Sequence, residues 1–217
     1  MTKPTAILFD WDNTLVDGWA AIHAGLNAAF RAFDLPEWSL EQVLGNVRRS
    51  LRESFPELFG AEWERARDVF YDAVRATHLD VVKPMPGALD AVLAAAALAP
   101  IGVVSNKQGP LLRAEAAHLG WATHFASLVG AGDAAADKPD PAAILLALAP
   151  LGVAPSCDVW YVGDTALDMQ AARRAGCRAV LVGDASHDGG VTNALPDVAF
   201  AHAGALADAL RALASSP

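Results

Sequence analysis

Two aspartates, Asp10 and Asp12, follow directly on the apolar run Ala6-Ile7-Leu8-Phe9. Side chains two apart in an extended chain point the same way, so both carboxylates face one site at a strand end. One carboxylate can attack phosphorus to form an acyl phosphate. The other can protonate the leaving oxygen and later activate water. Two acids this close raise the pKa of one of them unless a cation intervenes. A pair of aspartates in a turn or a helix cap has the same spacing, so the pair alone leaves both readings open.

Three later segments carry groups that complement such a pair. The run Ile101-Gly102-Val103-Val104 ends in Ser105, Asn106 and Lys107, where a hydroxyl and an amide can donate hydrogen bonds to phosphoryl oxygens. A plain turn closing a strand is the alternative there. In Asp137-Lys138-Pro139-Asp140-Pro141, Lys138 can neutralise both a phosphoryl group and crowded aspartates, although most lysines in loops are simply exposed. Finally, Val159-Trp160-Tyr161-Val162-Gly163 is followed by Asp164 and Asp168, which share one face at a helix start. Hard carboxylate oxygens suit Mg²⁺, which takes one or two of them and keeps several waters. Acids at a helix start also favour the helix dipole, so that pair too has a structural reading.

The elements that must position these groups alternate along the chain. Short buried runs at 6–9, 101–105, 159–163 and 179–183 read as parallel strands. Between them lie Ala/Leu-rich stretches, Pro86 to Ala99, Pro110 to Leu119, Pro141 to Leu151 and Ala166 to Ala175, several beginning with the proline that suits a first helical turn. Such alternation predicts an α/β fold, a Rossmann-like parallel sheet flanked by helices, with functional loops at the strand C-terminal ends. Residues 18–83 break the pattern and read as a small all-helical insertion after the first strand. Its candidate helices are Ala20 to Phe33, Leu40 to Leu44, Leu51 to Phe55 and Ala61 to Ala76, and Val81-Val82-Lys83-Pro84-Met85-Pro86-Gly87 forms the return linker. The expected domains are therefore 1–17 with 84–217, and 18–83. Residues 197–200 and Ala203 to Leu213 supply a last strand and a closing helix.

Composition limits the partners. The 217 residues carry 16 basic and 25 acidic side chains, a formal net charge of −9, which argues against gripping nucleic acid or an anionic membrane. The apolar start is interrupted by acids too early for a signal peptide, and the longest apolar stretch holds Pro100 and is too short to span a bilayer. Cys157 and Cys177 form no metal-type motif and read as reduced thiols, so a cytoplasmic protein is expected; a monomer and a homodimer are both left open. The six histidines, among them His187, lack the spacing of a metal site and read as surface or core residues. Gly130-Ala131-Gly132 follows a candidate strand but lacks the remainder of a dinucleotide fingerprint.

In order, the four segments resemble the motif set of the haloacid dehalogenase superfamily over nearly the whole chain, specifically phosphoglycolate phosphatase-like members with a helical cap. The resemblance implies Asp10 as nucleophile and metal ligand, and Asp12 as general acid/base whose main-chain carbonyl also meets the metal. It implies Asp164 as a direct Mg²⁺ ligand, Asp168 as a supporting acid, and Ser105, Asn106 and Lys138 as phosphate-binding groups, with Thr14 buttressing the first loop. Dehalogenating members lack the second acid of the first motif, and Asp12 is present here. Asn13 stands where glycine is frequent, a tolerable exchange because asparagine accepts unusual backbone angles. Trp11 reads as a packing residue.

The implied activity is Mg²⁺-dependent hydrolysis of a small metabolite's phosphate monoester through a phosphoaspartate. A phosphomutase of the beta-phosphoglucomutase type and a non-catalytic phosphate-binding regulator are the alternatives. Within the insertion, Arg48 or Arg49 is expected to hold a carboxylate or second phosphate of the substrate by forked hydrogen bonds. A solvated helix face is the competing reading for them.

Overall fold

A computed structural model describes residues 2–47 and 51–215. The chain divides into two compact units, Met1–Val16 with Pro84–Pro217, and Asp17–Lys83.

The larger unit is built on a six-stranded sheet. Its strands are β1 (Ala6–Phe9), β4 (Ile101–Gln108), β5 (Ser127–Ala131), β6 (Val159–Gly163), β7 (Arg178–Val182) and β8 (Val198–Phe200), in the order β5-β4-β1-β6-β7-β8. Every pairing is parallel. Helices α5 (Ala88–Ala96), α6 (Gly109–His118), α7 (Ala142–Leu148), α8 (Ala166–Arg174), α9 (Val191–Ala194) and α10 (Ala203–Ser215) make the crossovers and the closing helix. The fold is thus the α/β parallel sheet that the alternation of apolar runs predicts. Strand β5 takes its place at the sheet edge, where burial is incomplete and the apolar run correspondingly short.

The register explains the site. Phe9 lies level with Val103 on one side and Val162 on the other, so the residues just beyond β1, β4 and β6 emerge side by side. This is the point where the chain's crossovers diverge from β1, the usual ligand crevice of an open parallel sheet. Beneath it, Ala6, Leu8, Val159 and Tyr161 pack with Ile144 and Leu148 of α7 and Met169 of α8. Each large aliphatic side chain so buried contributes about 1.5–3 kcal/mol. Strand β4 runs three residues past the predicted Ser105, but its pairing with β5 shifts between Val104 and Gln108. An irregularity of that kind re-aims side chains, and here it carries Ser105, Asn106 and Lys107.

The smaller unit contains α1 (Trp19–Ala32), α2 (Leu40–Asn46), α3 (Leu51–Phe59) and α4 (Trp63–Val81). Helices α3 and α4 both run beyond their expected ends. Helix α1 meets α4 closely because Gly25 has no side chain: a Cβ there would strike Phe70 and Val74. Phe30, Phe33, Phe55 and Phe59 form a continuous aromatic cluster beside them, with ring centroids 5.0–5.6 Å apart. Asn27 pins the following loop by accepting from Trp38 N and donating to Trp38 O, both at 2.9 Å. The two chain crossings between the units, β2 (Val16–Asp17) and β3 (Lys83–Pro84), pair with one another as a two-stranded sheet. Arg48 and Arg49 lie outside the described residues. Among the described residues, no helix is long and apolar enough to cross a membrane.

Candidate active site

The loop after β1 is tied down at both ends. Asp10 N donates to Val162 O at 2.8 Å, Leu15 N donates to Trp11 O at 2.9 Å, and Asn13 N donates to Val16 O at 2.6 Å. The turn requires a left-handed residue at Asn13, with φ of 63°, a conformation asparagine reaches at little cost. Thr14 reaches from this loop to the end of β6, where its Oγ1 donates to Asp164 Oδ1 at 2.9 Å.

Lys138 lies at the centre. Its Nζ donates to Asp10 Oδ1 and to Asp168 Oδ1, both at 2.7 Å, and all three side chains are buried. Burial opposes the ammonium's charge, but Asp10 and Asp168 outweigh it and hold the Lys138 pKa well above its ordinary value. Asn106 fixes the lysine's backbone with a paired clasp: its Oδ1 accepts from Lys138 N at 2.9 Å and its Nδ2 donates to Lys138 O at 3.0 Å. The amide that was expected on the substrate phosphate therefore engages the lysine loop with both its polar atoms. Ser105 is buried, and its Oγ accepts from Lys107 N at 3.2 Å.

Asp168 is held more completely than any other acid of the site. Besides Lys138, it accepts from Thr165 N at 3.1 Å and Thr165 Oγ1 at 2.6 Å, and the Tyr161 hydroxyl oxygen lies 3.4 Å from it. The Thr165 contacts form a capping box that starts α8. Gly163 makes the arrangement sterically possible, because a Cβ at that position would collide with the Asp168 side chain. Burial keeps the Tyr161 phenol well above its usual pKa, hence neutral, and its hydroxyl also donates to Val104 O at 2.8 Å.

Carboxylate oxygens of Asp10, Asp164 and Asp168 all lie within 4.8 Å of one another, which makes the set a candidate cation site. The charge balance points the same way: of the three buried carboxylates, Lys138 contacts only Asp10 and Asp168. Burial pushes the Asp10 carboxyl up to about 8 against the pull of Lys138, with Asp168 and Asp164 adding to the rise. Asp164 is raised too, first by burial, then by Asp168, although His187 and Thr14 counter them. A site that strains to keep its acids ionised is short of positive charge, and hard oxygen donors fit Mg²⁺ chemically. Asp10 and Asp164 are the better donors, since Asp168 accepts more hydrogen bonds than either.

Several groups here escaped the sequence reading. Lys107 Nζ donates to Asp12 Oδ1 at 2.7 Å and to Glu115 Oε2 at 2.8 Å, and Trp11 Nε1 donates to the same Glu115 oxygen at 2.7 Å. Trp11 is fully buried as a packing residue should be, edge-on to Trp121 and Phe125, and it also serves as a donor. His187, one of the histidines read as surface or core residues, adds a contact to the site: its Nε2 lies 3.4 Å from Asp164 Oδ2, and that contact raises the imidazole's pKa. One signal for Glu115 is visible in the sequence. It occupies the same face of α6 as the buried Leu111 and Leu112, and an acid on an apolar stripe calls for a partner.

Comparison with known proteins agrees with this geometry. Residues 7–182 match the family model described as haloacid dehalogenase-like hydrolase. A phosphoglycolate phosphatase from Xylella fastidiosa is 36% identical over 180 residues, covering 80% of this chain and 77% of that one. The phosphoglycolate phosphatase from Chromobacterium violaceum is 32% identical over 188 residues, covering 82% and 84%. Among solved structures, a haloacid dehalogenase-like family hydrolase from Streptococcus pneumoniae superposes with a TM-score of 0.80 at 23% identity, covering 92% of this chain and 94% of that one, a likeness of fold. With most of its length matched and its motif acids gathered at one strand edge, the chain belongs to the haloacid dehalogenase-like hydrolase family and groups by sequence with its phosphatases.

Proposed function

We propose that the chain is a Mg²⁺-dependent phosphatase that hydrolyses the phosphate monoester of a small metabolite through a phosphoaspartate on Asp10. The observation that carries this reading is Lys138 Nζ, 2.7 Å from both Asp10 and Asp168 within a cluster of three buried acids. In a protein of net charge −9, a carboxylate nucleophile meets an anionic phosphate only where local cations offset both. Lys138 supplies one such charge. Asp10, the Asp12 carbonyl and Asp164 would hold Mg²⁺, and Asp168 keeps Lys138 in place. When bound, the metal polarises phosphoryl oxygens and offsets their charge.

The chain's own residues carry the chemistry in two steps. An Asp10 oxygen bonds to phosphorus as the bond to the leaving oxygen breaks, and Asp12 gives that oxygen a proton. Asp12 then takes a proton from water, whose oxygen attacks phosphorus and releases Asp10 and inorganic phosphate. Ser105 donates to a phosphoryl oxygen, and Asn106 acts through the Lys138 loop it clasps. The helical unit serves as a cap, in which Arg48 or Arg49 takes a second anionic group of the substrate. Phosphoglycolate, the compound in the relatives' names, carries such a carboxylate and is the first candidate.

A phosphate-release panel over small phosphate esters, with Mg²⁺ or with chelator, tests the reading. Release is expected with Mg²⁺ and lost with chelator or in Asp10→Asn. Mg²⁺-dependent release by Asp10→Asn would overturn it, and isomerised sugar phosphate in place of inorganic phosphate would indicate a mutase.

A further inference from the structure

Asp12 has a fixed point that the two-step reading does not use. Resting on that reading, we propose that Lys107 is a positioning residue for Asp12, itself held in place by Glu115 and Trp11, so that the general acid/base presents one oxygen in one orientation through both steps.

The geometry behind this is local and tight. Asp12 is the most exposed acid of the site, with its side chain 19% accessible, and its neighbour Asp10 takes the contacts of Lys138. Lys107 Nζ grips Asp12 Oδ1 at 2.7 Å and leaves the other carboxylate oxygen outside this contact. The lysine is restrained in turn. Glu115 Oε2 accepts from it at 2.8 Å, and that carboxylate is 1% exposed, where water offers no substitute. Trp11 Nε1 donates to the same oxygen, and the indole is wedged against Trp121 and Phe125. The backbone contributes as well: Lys107 N donates to Ser105 Oγ within the irregular stretch of β4. A flexible four-carbon stem thus ends in an ammonium with two fixed partners.

Position matters here because proton transfer requires a heavy-atom separation of about 2.6–3.2 Å along a defined direction. Asp12 sits two residues from the nucleophile on a loop whose backbone is fixed, so the remaining freedom lies in its side-chain torsions. The Lys107 contact removes that freedom. A direct phosphate-binding role for Lys107 is disfavoured, since two of its three donor hydrogens already point at carboxylates. A bond serving only to fasten α6 to the first loop remains the competing account, and leaving-group chemistry separates the two.

Steady-state and burst kinetics would be measured with Mg²⁺ on p-nitrophenyl phosphate, phenyl phosphate and alkyl phosphates, using wild type, Lys107→Met, Lys107→Arg, Glu115→Gln and Asp12→Asn. An alkoxide leaves poorly without a proton, whereas p-nitrophenolate leaves without help. In Lys107→Met, kcat/KM on alkyl esters should fall about 100-fold, in the direction of Asp12→Asn, while kcat/KM on p-nitrophenyl phosphate changes little. On that ester kcat should fall and a burst of p-nitrophenolate appear, because water attack on the phosphoenzyme also needs Asp12. Lys107→Arg should recover most of the alkyl-ester activity, and Glu115→Gln should shift the same way as Lys107→Met by a smaller factor. Should Lys107→Met not fold, Glu115→Gln decides, since it keeps size and charge-free hydrogen bonding. An equal loss on every ester, or none, in a folded variant would overturn the positioning role. Wild type releasing no phosphate from any ester overturns the phosphatase reading itself, and this inference with it.

Discussion

Lys138 and Lys107 each bridge two carboxylates on either side of the same loop, with all four contacts at 2.7–2.8 Å. What differs is the third neighbour. Beside Lys138 stands another buried acid, Asp164, which lies with Asp10 and Asp168 but outside the lysine's two contacts. Beside Lys107 stands the neutral Trp11 indole, a donor that satisfies Glu115 and leaves Asp12 with access to water. Burial opposes the charge of both lysines, and in both the paired acids prevail and raise the pKa. The first arrangement invites a cation, and the second fixes a side chain in space.

Removing the two lysines therefore should not be equivalent. Lys138→Met leaves Asp10 and Asp168 buried without their cation and should lower stability by about 3–5 kcal/mol in denaturant unfolding without metal. Mg²⁺ should restore more of that loss than it adds to wild type, because the site is then more negative. Lys107→Met should lose about 1–3 kcal/mol, since Glu115 keeps Trp11 and Asp12 keeps water, and Mg²⁺ should not recover it. Equal losses with equal metal response would erase the distinction.

The pH dependence sharpens it further. Asp10 is raised to about 8 from an ordinary 3.8, so without metal the folded chain holds a proton that the unfolded chain releases. Stability of the metal-free protein should then decline as pH rises from about 4 to about 8, and thermal unfolding should show Mg²⁺ stabilising more at pH 8 than at pH 6. Asp10→Asn should flatten that slope, whereas Lys107→Met should keep it. A metal-free protein whose stability stays level across this window would argue that the acids are not short of positive charge.

The same contrast governs what could be read from the sequence. Asp10, Asp12, Ser105 and Asp164 were legible because each closes or follows a buried apolar run, and parallel strands bring such positions to one edge whatever the intervening length. Lys138 and Asp168 were legible from motif order, since neither has a local signature stronger than a loop lysine or a helix-start acid. The parallel sheet was legible for the same physical reason as the strand ends: buried strands carry continuous apolar runs. Glu115 and Tyr161 escaped because their hydrogen bonds cross from helix to loop and from strand to helix, and pairing of that kind leaves no period in the sequence. His187 escaped because nothing in the stretch around it indicates that it faces Asp164. Asn106 was found, but its task depends on the backbone path of residue 138, which side-chain chemistry alone does not reveal.

The central claim is a covalent phosphoryl group on Asp10, and trapping it is the most direct measurement. Asp12→Asn, mixed with Mg²⁺ and p-nitrophenyl phosphate and quenched in acid within one turnover, should yield a peptide spanning β1 that carries one phosphoryl group located on Asp10 by tandem mass spectrometry. Phosphate release by the wild type, with no phosphoryl group on Asp10 in the trapped variant or with the label on another residue, would contradict the account.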